Sequence, residues 1–443
     1  MKYFSLFLLF FVSFVSPLAA QDAPKAPPDE RLLGEFVVEA RAEEHVTTLA
    51  VLPSLEPDLE DVIVRGVVRR DLELSGMFKI IDDKKAPEGL YGFDDPVDVP
   101  AWRKLGAEVI VKVAARKDPS GKVQVSGVAY FTDVGIDPVY EKKLVVSKED
   151  VRVTAHRITD ALLGAITGIP GGFASRFAFS ARWGRNRRIF SMDSDGHDLK
   201  PLTDPQVTAI TPAWGAGNQL FYAESRNYSP FRLMAWEAGT ARPVDLIFSR
   251  SIYSVAISDD KTKMAVAVAE QDGSSIYLGS IDGTGMTKVS KTLLATSPAF
   301  SPTGKLAWIG GTAEHGSQRV WLDGKPVSPS GFVAAAPTFC DTQDGVRLVY
   351  AVAVGNDRQD LIMANEQGGV IGRLTQGQGS NTYPACSPDG RLLAFFSTRK
   401  SGEGPGTYMM SLKRWTTQLV TKQLGESLHW DALPSPPAGA VVP

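Results

Sequence analysis

The stretch Pro384-Ala385-Cys386-Ser387-Pro388-Asp389-Gly390-Arg391-Leu392-Leu393-Ala394-Phe395 decides the fold. Its centre, Ser387-Pro388-Asp389-Gly390, is typical of a tight turn, because proline presets φ, aspartate bonds its own backbone and glycine tolerates positive φ. The apolar residues after the turn favour a strand. We therefore predict a short strand, a turn and a second strand.

The same pattern recurs through the second half of the chain. Close copies cover residues 297–308 and 211–222, and weaker copies cover 255–266 and 337–350. The bulky residue of each copy marks its register, and the marks are Trp214, Ile257, Phe300, Phe339 and Cys386. They lie 43, 43, 39 and 47 residues apart, and a further 44 residues leads to Trp430. Repeats of about 40–45 residues with several short strands are typical of propeller blades.

Six register marks predict a six-bladed, all-β propeller over residues 173–435. The first repeat lacks an opening strand, since residues 173–179 correspond to the second strand of the other repeats. Residues 427–433 can supply the missing innermost strand. Closure of this kind hides a strand edge and completes the ring.

The first 20 residues predict export. Lys2 supplies a short basic region, residues 3–15 are almost wholly apolar, and residues 17–20 offer small side chains before a polar chain. This pattern indicates a secretory signal peptide cut near Ala20, because the apolar part is too short to span a bilayer as a helix. We expect a periplasmic protein. The formal net charge of −3 gives no support to a nucleic-acid partner.

An arm and a small domain are predicted between the signal peptide and the repeats. Residues 21–44 begin with a charged, proline-rich segment, which indicates a flexible arm. Phe36 and Val38 lie in a strand-like part of it, which either forms an edge strand of the next domain or pairs with another protein by strand addition. Residues 45–168 alternate strand and helix patterns and predict an α/β domain with a mixed sheet. Residues 436–443 are expected to form a loose tail.

The sequence leaves open whether the two cysteines form a disulfide. Cys386 holds the mark of its repeat, whereas Cys340 lies one residue past the mark of the preceding repeat. Successive side chains of a strand point to opposite faces. We therefore expect two buried free thiols, with a bond as the alternative that an exported protein permits.

The sequence offers little catalytic chemistry. It has no Gly-x-Ser-x-Gly elbow, no histidine pair at metal-binding spacing and no glycine-rich phosphate loop after a strand. Residues 193–198 resemble a calcium loop without its twelfth-position glutamate, so a hairpin turn is favoured. Arg182, Arg185, Arg187 and Arg188 indicate a solvated loop or, alternatively, a surface for an anionic partner. We expect no catalytic residue, metal ion or cofactor.

The predicted binding residues follow from propeller geometry. Innermost strands line a central channel, and the loops that lead into them ring one mouth. The residues at these positions are small or carry hydroxyl groups, with two tyrosines as anchors, and suit a protein partner better than a catalytic centre. We expect partner contacts at Thr211, Tyr253, Ser254, Thr296, Ser297, Ala336, Thr382 and Tyr383.

This organisation resembles the TolB family, periplasmic propeller proteins of the Tol-Pal cell-envelope system. In the small domain the resemblance lies in Val51-Leu52-Pro53 and in residues 72–78, 101–106 and 163–173. In the repeats it lies in the Pro-Ala-aromatic-Ser-Pro-Asp-Gly pattern. The chain departs from the family pattern at residues 250–253, which lack a histidine often found before the first strand of the third blade.

The resemblance implies a non-enzymatic, monomeric scaffold with two protein partners. The channel mouth would bind the outer-membrane lipoprotein Pal, with Ser254, Thr296 and Ser297 at matching positions. The arm, with Phe36 and Val38, would engage the inner-membrane protein TolA. Such a protein would support outer-membrane integrity, protein import and constriction at cell division, without a small-molecule substrate and with only indirect membrane association.

Two other functions remain open at this point. A propeller can gate a hydrolase domain, which would require a nucleophile elbow and a longer companion domain. A propeller can also bind carbohydrate, which would require exposed aromatic residues at equivalent positions in most blades. Only Tyr253 and Tyr383 meet that requirement.

Overall fold

A computed structural model describes residues 29–34, 45–55, 58–311, 318–355 and 357–435. The predicted signal peptide and tail lie outside these residues, as do Phe36 and Val38. Within the described ranges, no helix is long and apolar enough to cross a membrane.

The amino-terminal domain is a mixed five-stranded sheet with helices on both faces. Its elements in chain order are β1 (Thr48–Val51), α1 (Leu59–Leu74), β2 (Lys79–Ile80), α2 (Val99–Lys104), β3 (Val109–Lys117), β4 (Val123–Phe131), β5 (Tyr140–Val146) and α3 (Val151–Thr167). The strand order is β2-β1-β3-β4-β5, parallel around β1 and antiparallel from β3 to β5. Helices α1 and α3 bury Val64, Val68 and Leu162 against one face, and α2 buries Trp102 against the other.

The second domain consists of six four-stranded antiparallel sheets. The first blade contains β6 (Ser175–Trp183), β7 (Asn186–Asp193) and β8 (Lys200–Pro201), and the second β9 (Val207–Trp214), β10 (Leu220–Arg226), β11 (Arg232–Glu237) and β12 (Thr240–Pro243). The third contains β13 (Ile252–Ile257), β14 (Lys263–Glu270), β15 (Gly273–Ser280) and β16 (Thr287–Lys288), and the fourth β17 (Leu294–Phe300), β18 (Leu306–Gly311), β19 (Arg319–Leu322) and β20 (Lys325–Pro326). The fifth contains β21 (Ala334–Thr342), β22 (Gly345–Ala353), β23 (Gln359–Asn365) and β24 (Val370–Arg373), and the sixth β25 (Asn381–Cys386), β26 (Leu392–Ser397), β27 (Gly406–Ser411) and β28 (Thr417–Thr421).

The ring closes through the last strand. Strand β29 (Glu426–Ala432) pairs antiparallel with β6 and becomes the innermost strand of the first blade. Trp430 is almost fully buried there: its ring lies 4.6 Å from that of Phe177, and its Nε1 donates to Ser175 Oγ at 2.7 Å. The predicted fold class, a small α/β domain followed by a six-bladed propeller, is therefore confirmed.

The two cysteines form a disulfide, so the expectation of free thiols is wrong. Cys340 lies on the innermost strand of the fifth blade and Cys386 on that of the sixth, with their Cα atoms 5.4 Å apart. Cys340 faces forward to the sixth blade, whereas Cys386 faces back to the fifth, and both lie in the apolar layer between the two sheets. Opposite orientation on consecutive blades therefore brings the two thiols together.

Part of the predicted flexible arm is packed on the propeller, so that expectation is wrong for residues 29–34. A 3-10 turn, Glu30–Leu33, lies beside β24 of the fifth blade. The Glu30 carboxylate accepts from Arg373 at 3.0 Å and from Arg358 at 3.1 Å, and the Leu33 side chain is fully buried. Burial of one leucine supplies about 1.5–3 kcal/mol of the ordering free energy that such a short segment requires.

The two domains meet at blades one and six. From α1, Arg70 donates to the backbone oxygen of Leu419 at 2.6 Å, and the Gln418 side chain donates to the Glu73 oxygen at 2.5 Å. Asp160 on α3 accepts from the backbone N–H groups of Phe173 and Ala174 at 2.7 and 2.8 Å. These contacts place the small domain on the side of the ring where the innermost strands end.

Candidate functional site

The six innermost strands enclose a central channel of about 350 Å³. We call the side where these strands begin the upper mouth and the side where they end the lower mouth. Each blade contributes lining residues, so no single blade forms the wall. Because the small domain occupies part of the lower side, the upper mouth is the face at which a large partner can approach the ring.

A repeated backbone irregularity shapes the channel wall. In five of the six innermost strands one non-glycine residue has a positive φ near 50°, and these residues are Thr211, Ser297, Ala336, Tyr383 and Ser427. The strand pairing shifts register at each of them, and in the third blade it shifts between Ile252 and Ser254. A bulge of this kind interrupts the ladder and redirects side chains. Left-handed backbone in non-glycine residues costs roughly 1–3 kcal/mol each and tends to occur at binding sites.

The structure brings five of the predicted residues into the channel wall. Thr211, Ser254, Ser297, Ala336 and Tyr383 line it together, whereas Tyr253, Thr296 and Thr382 lie just above it in their strands. Thr296 pairs with Ile309 and Thr382 with Phe396 in their ladders. Phe36 and Val38 lie outside the described residues, and their predicted role stays a prediction.

Two hydroxyl groups of the wall, those of Thr211 and Ser254, bond to neighbouring blades. Thr211 Oγ1 donates to the Tyr253 backbone oxygen at 3.4 Å, and Ser254 Oγ accepts from the Ser297 N–H at 3.0 Å. These bonds cross from one blade to the next, so the hydroxyls fix the ring in shape. They leave the wall polar but rigid, which suits docking of a preformed surface.

The lower mouth carries charges that the sequence reasoning missed. Lys261 Nζ lies 2.9 Å from Asp431 Oδ1, and Asp259 and Asp341 line the same end of the channel. Burial raises the pKa of Asp259; Lys261 opposes this rise, and Asp431 and Asp341 add to it. Burial likewise raises the pKa of Asp431 against the pull of Lys261.

A neutral histidine lies beside these charges. Burial, with Lys261 and Arg176 nearby, lowers the pKa of His429 to about 3, so its Nδ1 can accept the Trp214 N–H at 3.4 Å. The sequence contains a pattern that indicates the charged lower mouth: Asp259, Asp341 and Asp431 follow their register marks by one or two residues. That these three carboxylates lie at the same end of the channel becomes evident only when the blades are arranged in a ring.

A second cluster of ionisable groups lies buried between the domains. His156 Nδ1 is 2.8 Å from Asp71 Oδ2, and its Nε2 is 3.8 Å from Asp193 Oδ2. Arg152 bonds to Asp193 and to Asp195. Asp71, His156 and Asp195 offer ligand atoms within 4.8 Å of one another, but Arg152 already occupies oxygens of both propeller carboxylates, Asp193 and Asp195. The arrangement is therefore an ionic contact between domains rather than a metal centre.

Fold and channel together define a class: a two-domain propeller protein in which the innermost strands of six blades enclose a central channel. Comparison with known proteins shows which members of this class the chain is similar to. Residues 43–130 match the family model of the TolB amino-terminal domain. The Tol-Pal system protein TolB of Anaeromyxobacter dehalogenans is 29% identical over 243 residues, 54% of each chain. That of Syntrophotalea carbinolica is 31% identical over 173 residues, 36% of each chain.

A solved structure extends the likeness to the whole fold. The crystal structure of TolB from Acinetobacter baumannii superposes with a TM-score of 0.70 at 19% identity, covering 88% of this chain and 98% of that one. The chain spans about half the length of the curated relatives it matches. The resemblance predicted from the sequence is confirmed: this chain is similar to TolB proteins in its amino-terminal domain, in its curated matches and in its fold.

Proposed function

We propose that this chain is a non-enzymatic periplasmic scaffold of a Tol-Pal system, which docks the lipoprotein Pal at the upper mouth of its propeller. The curated relatives carry the name of that system. Through this contact, and through TolA at the arm, the protein would support outer-membrane integrity, protein import and envelope constriction at division.

The observation that carries the proposal is the ring of bulged residues at the top of the channel. Five non-glycine residues hold left-handed backbone at equivalent positions of five blades. The strand pairing shifts register there, so residues of several blades are redirected around one channel mouth that a single partner can contact. A scaffold already fixed in this geometry loses little conformational entropy on binding.

The arm supplies the proposed second contact. Residues 29–34 are held on the fifth blade by Glu30 and Leu33. The strand-like composition around Phe36 and Val38 follows directly, so its position along the chain is compatible with strand addition to TolA.

The test is calorimetry of the mature chain with a soluble Pal domain. We expect Ser254→Arg and Ala336→Arg, both in the channel wall, to weaken binding more than tenfold, because each long cation enters the docking surface. Ala241→Arg is the matched control, since Ala241 is exposed on the outermost strand of the second blade. Thermal unfolding of each variant shows whether the ring stays intact.

Three results would contradict the proposal. The first is Pal binding that is unchanged in both channel variants while the ring remains folded. The second is equal weakening in the Ala241→Arg control. The third is steady turnover of a peptide or ester substrate by the purified chain, which would reinstate the enzyme alternative.

A further inference from the structure

A second cavity lies between the small domain and the propeller, on the side of the ring opposite the upper mouth. Its volume is about 310 Å³, within the range of small-molecule sites. The small domain contributes Met77, Leu163 and Thr167, and the propeller contributes turns and middle strands of blades five and six. The cavity therefore exists only where the two domains are docked.

One part of the wall is apolar. Leu163 and Phe173 are about 1% exposed, and Met363 and Leu392 are also buried. Side chains of this kind favour an apolar ligand body, and each buried methylene group of a ligand contributes about 0.8 kcal/mol.

The rim is cationic. Arg347, Arg391, Lys413 and Arg414 line the cavity against two carboxylates, Asp344 and Asp389. The whole chain carries a formal charge of −3, so this local excess of positive charge runs against the composition of the protein.

The guanidinium groups are not neutralised by close carboxylates. Arg391 donates to the Ile169 backbone oxygen at 2.8 Å, and its nearest carboxylate, that of Asp389, is 3.9 Å away. Arg347 donates to the Asp344 backbone oxygen at 2.7 Å. Within the described residues, Arg414 makes no hydrogen bond, ion pair or ring contact. Arginine in this state is well suited to a carboxylate or phosphate, which it can bind with two parallel hydrogen bonds.

We propose that this interdomain cavity binds an anionic amphiphile, with its carboxylate or phosphate head at Arg347 and Arg414 and its apolar body against Leu163 and Phe173. The ligand touches both domains, so it binds the docked arrangement in preference to separated domains. Bound ligand should accordingly raise the unfolding temperature of the protein.

The experiment uses the full mature chain with three eight-carbon probes: octanoate, octyl phosphate and neutral octanamide. We expect calorimetric binding of at least one anionic probe and at least tenfold weaker binding of octanamide. Preference between the two anions identifies the head group. The double variant Arg347→Gln/Arg414→Gln should lose at least tenfold in affinity, whereas Arg182→Gln, exposed at the upper end of β6 in the first blade, should bind as the parent does.

Three outcomes of this experiment would overturn the proposal. It fails if neither anion binds at millimolar concentration, if octanamide binds as tightly as the anions, or if the double variant binds unchanged. The unfolding temperature without ligand provides the folding control for the double variant. If that variant does not fold, Arg414→Gln alone decides, because Arg414 makes no hydrogen bond, ion pair or ring contact with the other described residues.

Discussion

At the scale of single residues, His156 is the most consequential group that sequence reasoning set aside. It is fully buried at the domain interface, faced by Asp71 from α1, by Asp193 and Asp195 from the propeller, and by Arg152 one turn away on α3. Burial alone would lower the pKa of His156, but the carboxylates of Asp71, Asp193 and Asp195 outweigh it and raise the pKa to about 10. The imidazolium therefore holds the two domains together.

This charge predicts a pH-dependent stability. A folded-state pKa near 10, above the unfolded value of 6.5, means that the stabilisation is complete below pH 6.5. It is lost progressively as the pH rises towards 10, by at most about 1.4 kcal/mol per pH unit. Urea unfolding of the parent and of His156→Gln at pH 6, 8 and 10 measures this stabilisation. We expect the difference in free energy of unfolding between the parent and the variant to be largest at pH 6 and to shrink at pH 10.

The subtraction of the variant removes the titration of groups that do not interact with His156, so it isolates His156 together with its partners Asp71, Asp193 and Asp195. A difference between parent and variant that stays constant from pH 6 to pH 10 would mean that the folded imidazole is neutral. The sequence could not reveal this site, because Asp71, His156 and Asp195 are widely separated along the chain and acquire their environment only on docking.

At the scale of elements, the register marks show why the blades were predictable. Trp214, Phe339 and Trp430 are each less than 10% exposed, because the bulky residue of an innermost strand packs between neighbouring sheets. The bulges of the same strands were not predictable. Threonine, serine, alanine and tyrosine share no local preference for left-handed backbone, so only ring geometry selects those positions.

The turn that defines the repeat has a second requirement beyond its own geometry. Gly390 has φ 70°, and a Cβ there would lie 1.7 Å from the Asp341 backbone oxygen of the fifth blade. Gly304, at the same place in the fourth blade, has φ 84° and nothing within 4 Å of its Cβ position. The two glycines therefore share a left-handed backbone that would strain any residue with a side chain. They differ in the contact that such a side chain would make with the neighbouring blade.

Alanine at the two positions separates these effects. We expect Gly304→Ala to lower the free energy of unfolding by about 1–2 kcal/mol, the cost of left-handed backbone. Gly390→Ala should cost a further ~1–3 kcal/mol, because the new methyl group overpacks the layer between blades five and six. Urea unfolding at neutral pH measures both. Equal losses at the two positions would show that the blades separate without strain.

At the scale of the whole molecule, the order of parts could be predicted from the sequence, whereas the joining of the parts could not. Repeats, linker and terminal strand are periodic or local patterns. The contacts of Arg70 with Leu419 and of Gln418 with Glu73 join residues about 350 positions apart and leave no such pattern. For the same reason the interdomain cavity and the lower mouth were missed, although each of their residues was visible.

Ring closure is the property on which both proposed sites depend, and it is tested by removing β29. Deletion of residues 426–443 takes away the innermost strand of the first blade, including Trp430 with its bond to Ser175 and the Glu426 carboxylate, which lies 3.0 Å from Arg187. It exposes the edge of β6 and opens the channel wall, so we expect loss of cooperative thermal unfolding and loss of Pal binding. Deletion of residues 436–443 alone is the matched control and should leave cooperative unfolding and Pal binding unchanged.

Hydrogen exchange at β6 distinguishes the long deletion from the short one. The amides of β6 should exchange at least a hundredfold faster in the long deletion only. Parent-like protection of β6 in that deletion would show that the five complete sheets and the three remaining strands of the first blade hold the ring closed without the terminal strand.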